Sequence, residues 1–160
     1  MEKIMIDSNI YDKLYFDKSI QTQVIEYIKS GRFKLYSTPI QKTELEKMPD
    51  DKTEKKLWSL QFLMKWTESI PSLFAFDTEG AGFDQGRWST PEEIVSYNEM
   101  DTSHIMDRNI SIVASSGVDI FITEEIKLIN KAKKKLPTLK VWKWCEFVQY
   151  LTSTPSGTTG

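Results

Sequence analysis

Two short stretches carry the side chains best suited to chemistry. Near the start, the apolar run Ile4-Met5-Ile6 meets Asp7-Ser8-Asn9 before apolar character resumes at Ile10. Far downstream, the run "VDIFIT" ends at Thr123-Glu124-Glu125. A carboxylate with hydroxyl and amide neighbours at the mouth of a strand suits a cation or a phosphate; it equally suits a turn or a helix cap. Carboxylates crowded together repel one another and need a cation to stay ionised. Ligands that are all oxygen favour Mg²⁺ or Mn²⁺ over zinc or copper. His104 is the only histidine and Cys145 the only cysteine. That removes a Ser-His-Asp or Cys-His arrangement, a Cys/His zinc cluster and any internal disulfide.

The whole chain sets the bounds. Its 160 residues suit one domain with a real core. Lys and Arg total 21 against 23 Asp and Glu, a net charge of -2, which is not the excess of cations that usually marks a nucleic-acid binder. The balance is locally uneven. Lys131, Lys133, Lys134 and Lys135 form a basic run, and Lys140 and Lys143 follow. Such a run reads as a solvated helix face or as a phosphate-contacting edge. No apolar run has the length of a membrane span, and the first residues lack the pattern of a secretion signal. A reducing, cytoplasmic setting without membrane contact is the expectation.

The elements that must position these groups follow from periodicity. Residues 3 to 7 read as a buried strand. Ile20, Val24, Ile25 and Ile28 recur at helical spacing between Lys18 and Lys29, and Gly31 stands where a helix ends. Phe33, Leu35 and Ser37 alternate as in a strand, and Pro39 suits the first turn of a helix carrying Ile40, Glu44 and Leu45. After the polar break "MPDDKTEKK", Trp58, Phe62 and Trp66 with Leu57, Leu60 and Met64 give a helix with a wide apolar face, read as core. Between Asp77 and Trp88 the chain is rich in glycine and acids, as in a hairpin or a loop near a site. Thr90-Pro91-Glu92-Glu93 announces a further helix. Ile105, Ile110, Ile112, Val113 and Ala114 form an apolar helical surface closed by Gly117. "VDIFIT" is a strand, and a helix then runs to about Lys135 before Pro137. Lys140 to Trp142 is a last strand, followed by a short helix and the polar tail "TSTPSGTTG". Alternation of this kind predicts an α/β fold with a central, mostly parallel sheet. Ligands of such sheets sit beyond the carboxyl ends of the strands, which puts Asp7 and Thr123-Glu124-Glu125 on one edge, where a metal site would be built.

Four segments together resemble one family. "IMIDSNIYDKL" is similar to an apolar strand followed by Asp-Thr/Ser-Asn/Ser. "STPIQKTELEK" is similar to an early helix that supplies a Glu followed by Leu. In "DRNISIVASSGVDIFITEE", Asp107, Ile110, Ala114, Gly117, Thr123 and Glu125 fall where the family has a helical Asp, its apolar followers, a glycine and a strand ending in Thr-x-Asp/Asn. The pattern resembles the PIN-domain nucleases (the PilT N-terminus family), which include the VapC toxins. The resemblance implies a PIN-like α/β/α sandwich over residues 1–151, its sheet flanked by helices on both faces, with 152–160 as a polar C-terminal tail. It implies metal-binding acids at Asp7, Glu44, Asp107 and Glu125, supported by Ser8, Asn9 and Thr123. Asp7 and Asp107 would hold the main ion, Glu44 would ligate it directly or through water, and Glu125 would bind a second ion or orient the nucleophile. The implied activity is Mg²⁺- or Mn²⁺-dependent hydrolysis of RNA phosphodiester bonds, chemistry that needs no histidine. A toxin role would add an antitoxin protein as partner, and the family's habit of pairing would add a homodimer.

The chain departs from the family in its last acid, a Glu where Asp or Asn is usual, with Glu124 offering a second register. Asp77, Glu79 or Asp84 are further candidates to join the site. His104 and the arginines Arg87 and Arg108 are candidates for substrate contact, against packing and surface ion pairs; Trp88 could stack on a base or simply pack. A catalytically silent PIN-like scaffold that binds RNA or protein is the rival function. A nucleotide-binding α/β domain fits less well, because no glycine-rich phosphate loop follows the first strand.

Overall fold

The computed structural model of the chain describes residues 1–70, 72–74, 86–88, 113 and 117–153. The helix expected from Thr90 lies outside the described residues, as do His104, Asp107 and Arg108 further on, Asp77, Glu79, Asp84 and residues 154–160 of the expected 152–160 tail.

Strand β1 (Glu2–Ile6) runs into helix α1 (Ser8–Phe16), and α2 (Lys18–Lys29) follows. Asp17 ends one helix and caps the next, its carboxylate accepting the Ile20 N–H at 3.0 Å. Gly31 takes φ +71°, the left-handed turn that lets α2 stop. Strand β2 (Phe33–Ser37) buries alternate residues, as its sequence predicts. Helix α3 (Pro39–Glu46) opens with a capping box, Thr38 and Gln41 each bonding the other's backbone N–H, and with Pro39 at its first turn. A 3-10 turn (Asp50–Lys52) leads to α4 (Thr53–Trp66) and β3 (Thr67–Ser69). Later come β4 (Ser72–Phe74), β5 (Gly86–Trp88), β6 (Ile120–Ile122), α5 (Ile126–Lys135), β7 (Lys140–Trp142) and α6 (Trp144–Ser153).

Five strands form one parallel sheet in the order β3-β2-β1-β6-β7. The α/β architecture expected from the alternation is therefore the one the chain adopts. β4 and β5 pair separately and in parallel; the glycine-rich residues between them, read as a hairpin or a loop, lie outside the described residues. Side chains of a strand alternate between faces, and β1 and β6 accordingly feed two cores. Ile4, Ile6, Ile120 and Ile122 pack with residues of α1, α2, α4 and α6, among them Leu14, Val24, Phe62 and Phe147. Met5, Phe121 and Val141 pack with Leu128, Ile129 and Ala132 of α5. The Tyr27 hydroxyl donates to the Leu151 carbonyl at 2.8 Å and joins α2 to α6.

Two helices differ from their sequence reading. The first is α1, which the polar stretch after β1 conceals. The second is the apolar face of α4. Phe62 and Leu63 are buried, but Leu57 and Met64 are 53% and 71% exposed, while Ser59 and Lys55 turn inward, Lys55 onto Asp12. Phe62→Ala should therefore cost about 3–5 kcal/mol, and Leu57→Ala under about 0.5 kcal/mol. Urea unfolding of the two variants checks this; equal losses would return Leu57 to the core.

Candidate metal and phosphate site at the β1/β6 edge

The chain builds its sheet outward from β1 through β2 to β3, then crosses back and adds β6 on the other side of β1. The strand order thus reverses between β1 and β6. A crevice opens beyond the carboxyl ends of two strands at such a reversal, because their connections leave in opposite directions. Asp7 follows the last residue of β1, and Thr123 follows the last residue of β6. The Asp7 N–H still donates to the Ile122 carbonyl at 2.8 Å, so the backbone stays paired up to the crevice.

Asp7 is the N-cap of α1, with extended backbone angles. Its Oδ1 accepts from the Ser8 N–H at 2.8 Å and, at a long 3.4 Å, from the Ser8 hydroxyl. Its Oδ2 accepts from the Asn9 side-chain amide at 3.0 Å and from the Thr123 hydroxyl at 2.7 Å. Thr123 is fully buried. While the Thr123 hydroxyl donates to Asp7, its oxygen accepts the Glu125 N–H at 3.1 Å. Ser8, Asn9 and Thr123 thus meet Asp7 as its supporting residues. Burial pushes the Asp7 carboxyl above the ordinary aspartate range, and the hydrogen bonds from Thr123, Ser8 and Asn9 oppose that push.

Glu44 reaches the same place from α3. Asp7, Glu44, Thr38, Gln41, Ile40, Met5, Phe121 and Val113 line one pocket of about 20 Å³, room for a single water-sized species. Gln41 explains how α3 is held there. Buried on the helix one turn before Glu44, it donates its amide to the Ile6 carbonyl at 2.7 Å and accepts the Thr38 N–H at 3.2 Å. That clamp grips β1 at the residue before Asp7. It was legible as Thr38-Pro39-Ile40-Gln41, the spacing of a capping box, but the link to Ile6 has no local signal.

The two adjacent glutamates separate in role. The Glu124 carboxylate accepts the Trp144 N–H at 2.8 Å, at the first residue of α6, so it is engaged in holding that helix. Glu125 is the N-cap of α5 but makes no side-chain cap, and its N–H is held by Thr123. Asp107 lies outside the described residues; Val113, six residues further along, lines the Asp7 pocket. Among the described residues no three acids, histidines or cysteines converge as a metal cluster. The donors that line the pocket, two carboxylates with hydroxyl and amide oxygens nearby, have the hard oxygen chemistry that suits Mg²⁺ or Mn²⁺.

The raised Asp7 carboxyl has a consequence for stability. When the folded state binds its proton more tightly than the unfolded chain, the contribution to stability is full in acid and falls as pH rises through the raised value. Asp7→Asn cannot titrate, so it should gain stability relative to the unsubstituted protein between acid and neutral pH. Paired urea titrations across that range measure the difference; a gap constant with pH would mean the carboxyl is not perturbed. Compared with protein-family models and with curated protein sequences, the chain matches none.

Proposed function

We propose that the chain is a metal-dependent endoribonuclease of the PIN type, hydrolysing RNA phosphodiester bonds at the β1/β6 edge. The observation that carries this reading is the Asp7 carboxylate. It sits at the strand-order reversal, half-buried, hydrogen-bonded from both sides, and in one pocket with Glu44. A carboxylate brought to such a crevice with a second acid beside it is suited to hold Mg²⁺ or Mn²⁺. On this reading Asp7 and Glu44, with Asp107, hold the ion, and Glu125 stands at the neighbouring strand end. When bound, the ion supplies polarisation of a phosphoryl oxygen and a more acidic water.

The chain's own residues have definable work. Ser8, Asn9 and Thr123 fix the two Asp7 oxygens and oppose its protonation. Gln41 holds α3 against β1 and so keeps Glu44 beside Asp7. Glu125, its backbone tied to Thr123, stands at the start of α5 and would orient a water.

A second reading draws on the same hydrogen bonds. A carboxylate offers about four lone-pair sites, and Asp7 already accepts three short bonds and one long one. An Asp7 so engaged could be purely structural, a pin between β1, α1 and β6 in a silent scaffold that binds RNA or protein. The long Ser8 contact is the bond a cation would most easily replace, which favours the nuclease.

Purified protein should cleave single-stranded RNA when Mn²⁺ or Mg²⁺ is added, and Asp7→Asn should abolish cleavage while remaining folded. The same ions should raise the melting temperature of the unsubstituted protein and not that of Asp7→Asn. A folded protein with neither cleavage over a broad RNA panel nor a metal-dependent melting shift would be the scaffold. A toxin role further predicts growth arrest on expression; its absence would remove that role and leave the nuclease standing.

A further inference from the structure

We propose that the outward face of α5 formed by Lys127, Asn130 and Lys134 binds the phosphodiester backbone of single-stranded RNA. This rests on the nuclease reading for the identity of the polyanion. The helix buries Leu128, Ile129 and Ala132. At about 100° per residue, Lys127, Asn130 and Lys134 fall on the side opposite that stripe, and all three are exposed. α5 carries five lysines in ten residues and no acid, on a chain whose net charge is -2. Composition therefore does not account for the patch.

Helix stability accounts for part of it only. Lys133, Lys134 and Lys135 sit in the last turn, where cations complement the helix dipole. Lys127 sits in the first turn, where a cation opposes it. Its placement needs another reason, and it shares a face with Lys134. Neither Lys127 nor Lys134 is ion-paired among the described residues. α5 also starts at the right place. Its first residue is three positions after Thr123, whose hydroxyl bonds Asp7. From there the helix extends about 15 Å, a cationic track beginning at the acidic edge. Phosphates approaching Asp7 meet carboxylates, and cations alongside offset that repulsion.

The test is binding of a fluorescently labelled oligouridylate in chelator, so that no cleavage occurs, over a salt titration. The double variant Lys127→Gln/Lys134→Gln should flatten the plot of log affinity against log salt by about 0.7 for each lysine removed. It should weaken oligoadenylate and oligouridylate alike. Lys13→Gln/Lys65→Gln removes the same charge from other helices and should leave the slope near that of the unsubstituted protein. Melting curves of the exposed-site variants check folding. An unchanged slope in the α5 variant, or an equal loss in the control, overturns the proposal. So does capture by phosphatidylserine vesicles without RNA binding. If the slope responds as expected but added Mn²⁺ produces no cleavage, the RNA surface stands and the catalytic reading fails; cleavage with an unresponsive slope gives the reverse.

Discussion

The structure turns on one carboxylate that the fold both holds and penalises. β1 lies at the centre of the sheet, paired on one side with β2 and on the other with β6. Whatever follows its last residue is enclosed by both neighbours. A charge placed there loses water and must be compensated by donors from the protein. The donors come from two directions: the first turn of α1 through Ser8 and the Asn9 amide, and Thr123 at the end of β6. The Thr123 hydroxyl joins strands that meet only because the chain crosses back over β1. The tertiary connection and the local cap thus serve the same pair of oxygens, and neither would suffice alone, since desolvation remains the largest influence on the group.

An apolar side chain at position 7 would avoid that cost, and Asn would avoid the charge. Retaining an acid at a site that disfavours its ionisation is the usual condition of a functional carboxylate. Structural ion networks also perturb acids, but those pair a carboxylate with a cation, and the donors to Asp7 among the described residues are neutral. On the proposed reading, the site holds a charge that these neutral donors do not cancel. A divalent ion would complete such an arrangement where a lysine would close it.

Much of this was legible because it is local. The α2 boundaries, the Phe33-Leu35-Ser37 alternation, Pro39 at the start of α3 and the Lys140–Trp142 strand follow from spacing and capping residues, which depend on neighbours in sequence. The meeting of Asp7 with Thr123 was inferred from both lying at strand ends, a rule of sheet topology. What escaped was non-local or doubly employed. α1 was hidden because Asp7-Ser8-Asn9 is at once a cap and a site, although Ile10, Tyr11 and Leu14 already carry helical spacing. The α4 face misled because apolar residues ring that helix and period alone does not choose which side meets α1 and α3. β3 carries no local signal after Trp66, since its three residues gain their structure from β2, with Ser37 and Thr67 sharing a hydroxyl–hydroxyl bond at 2.7 Å. Glu124 and Glu125 are alike in sequence; only the position of α6 assigns one of them to a helix end.

The charge distribution links the site to the helix beside it. Within about 8 Å, the screening length at physiological salt, fixed charges act on a ligand almost independently of the protein's net charge. A chain that is acidic overall can therefore attract a polyanion along one helix while repelling it elsewhere. Acids at the strand ends and cations along α5 make a gradient rather than a uniform patch. A phosphate strand held only by the acids' cation would be free to rotate about it, whereas one also held along α5 would enter the edge in a single direction. On the proposed reading, the lysines supply orientation and the carboxylates supply the reacting end. That division follows from where the chain reverses its strand order, because the same crossing that brings Thr123 to Asp7 also starts α5 beside them.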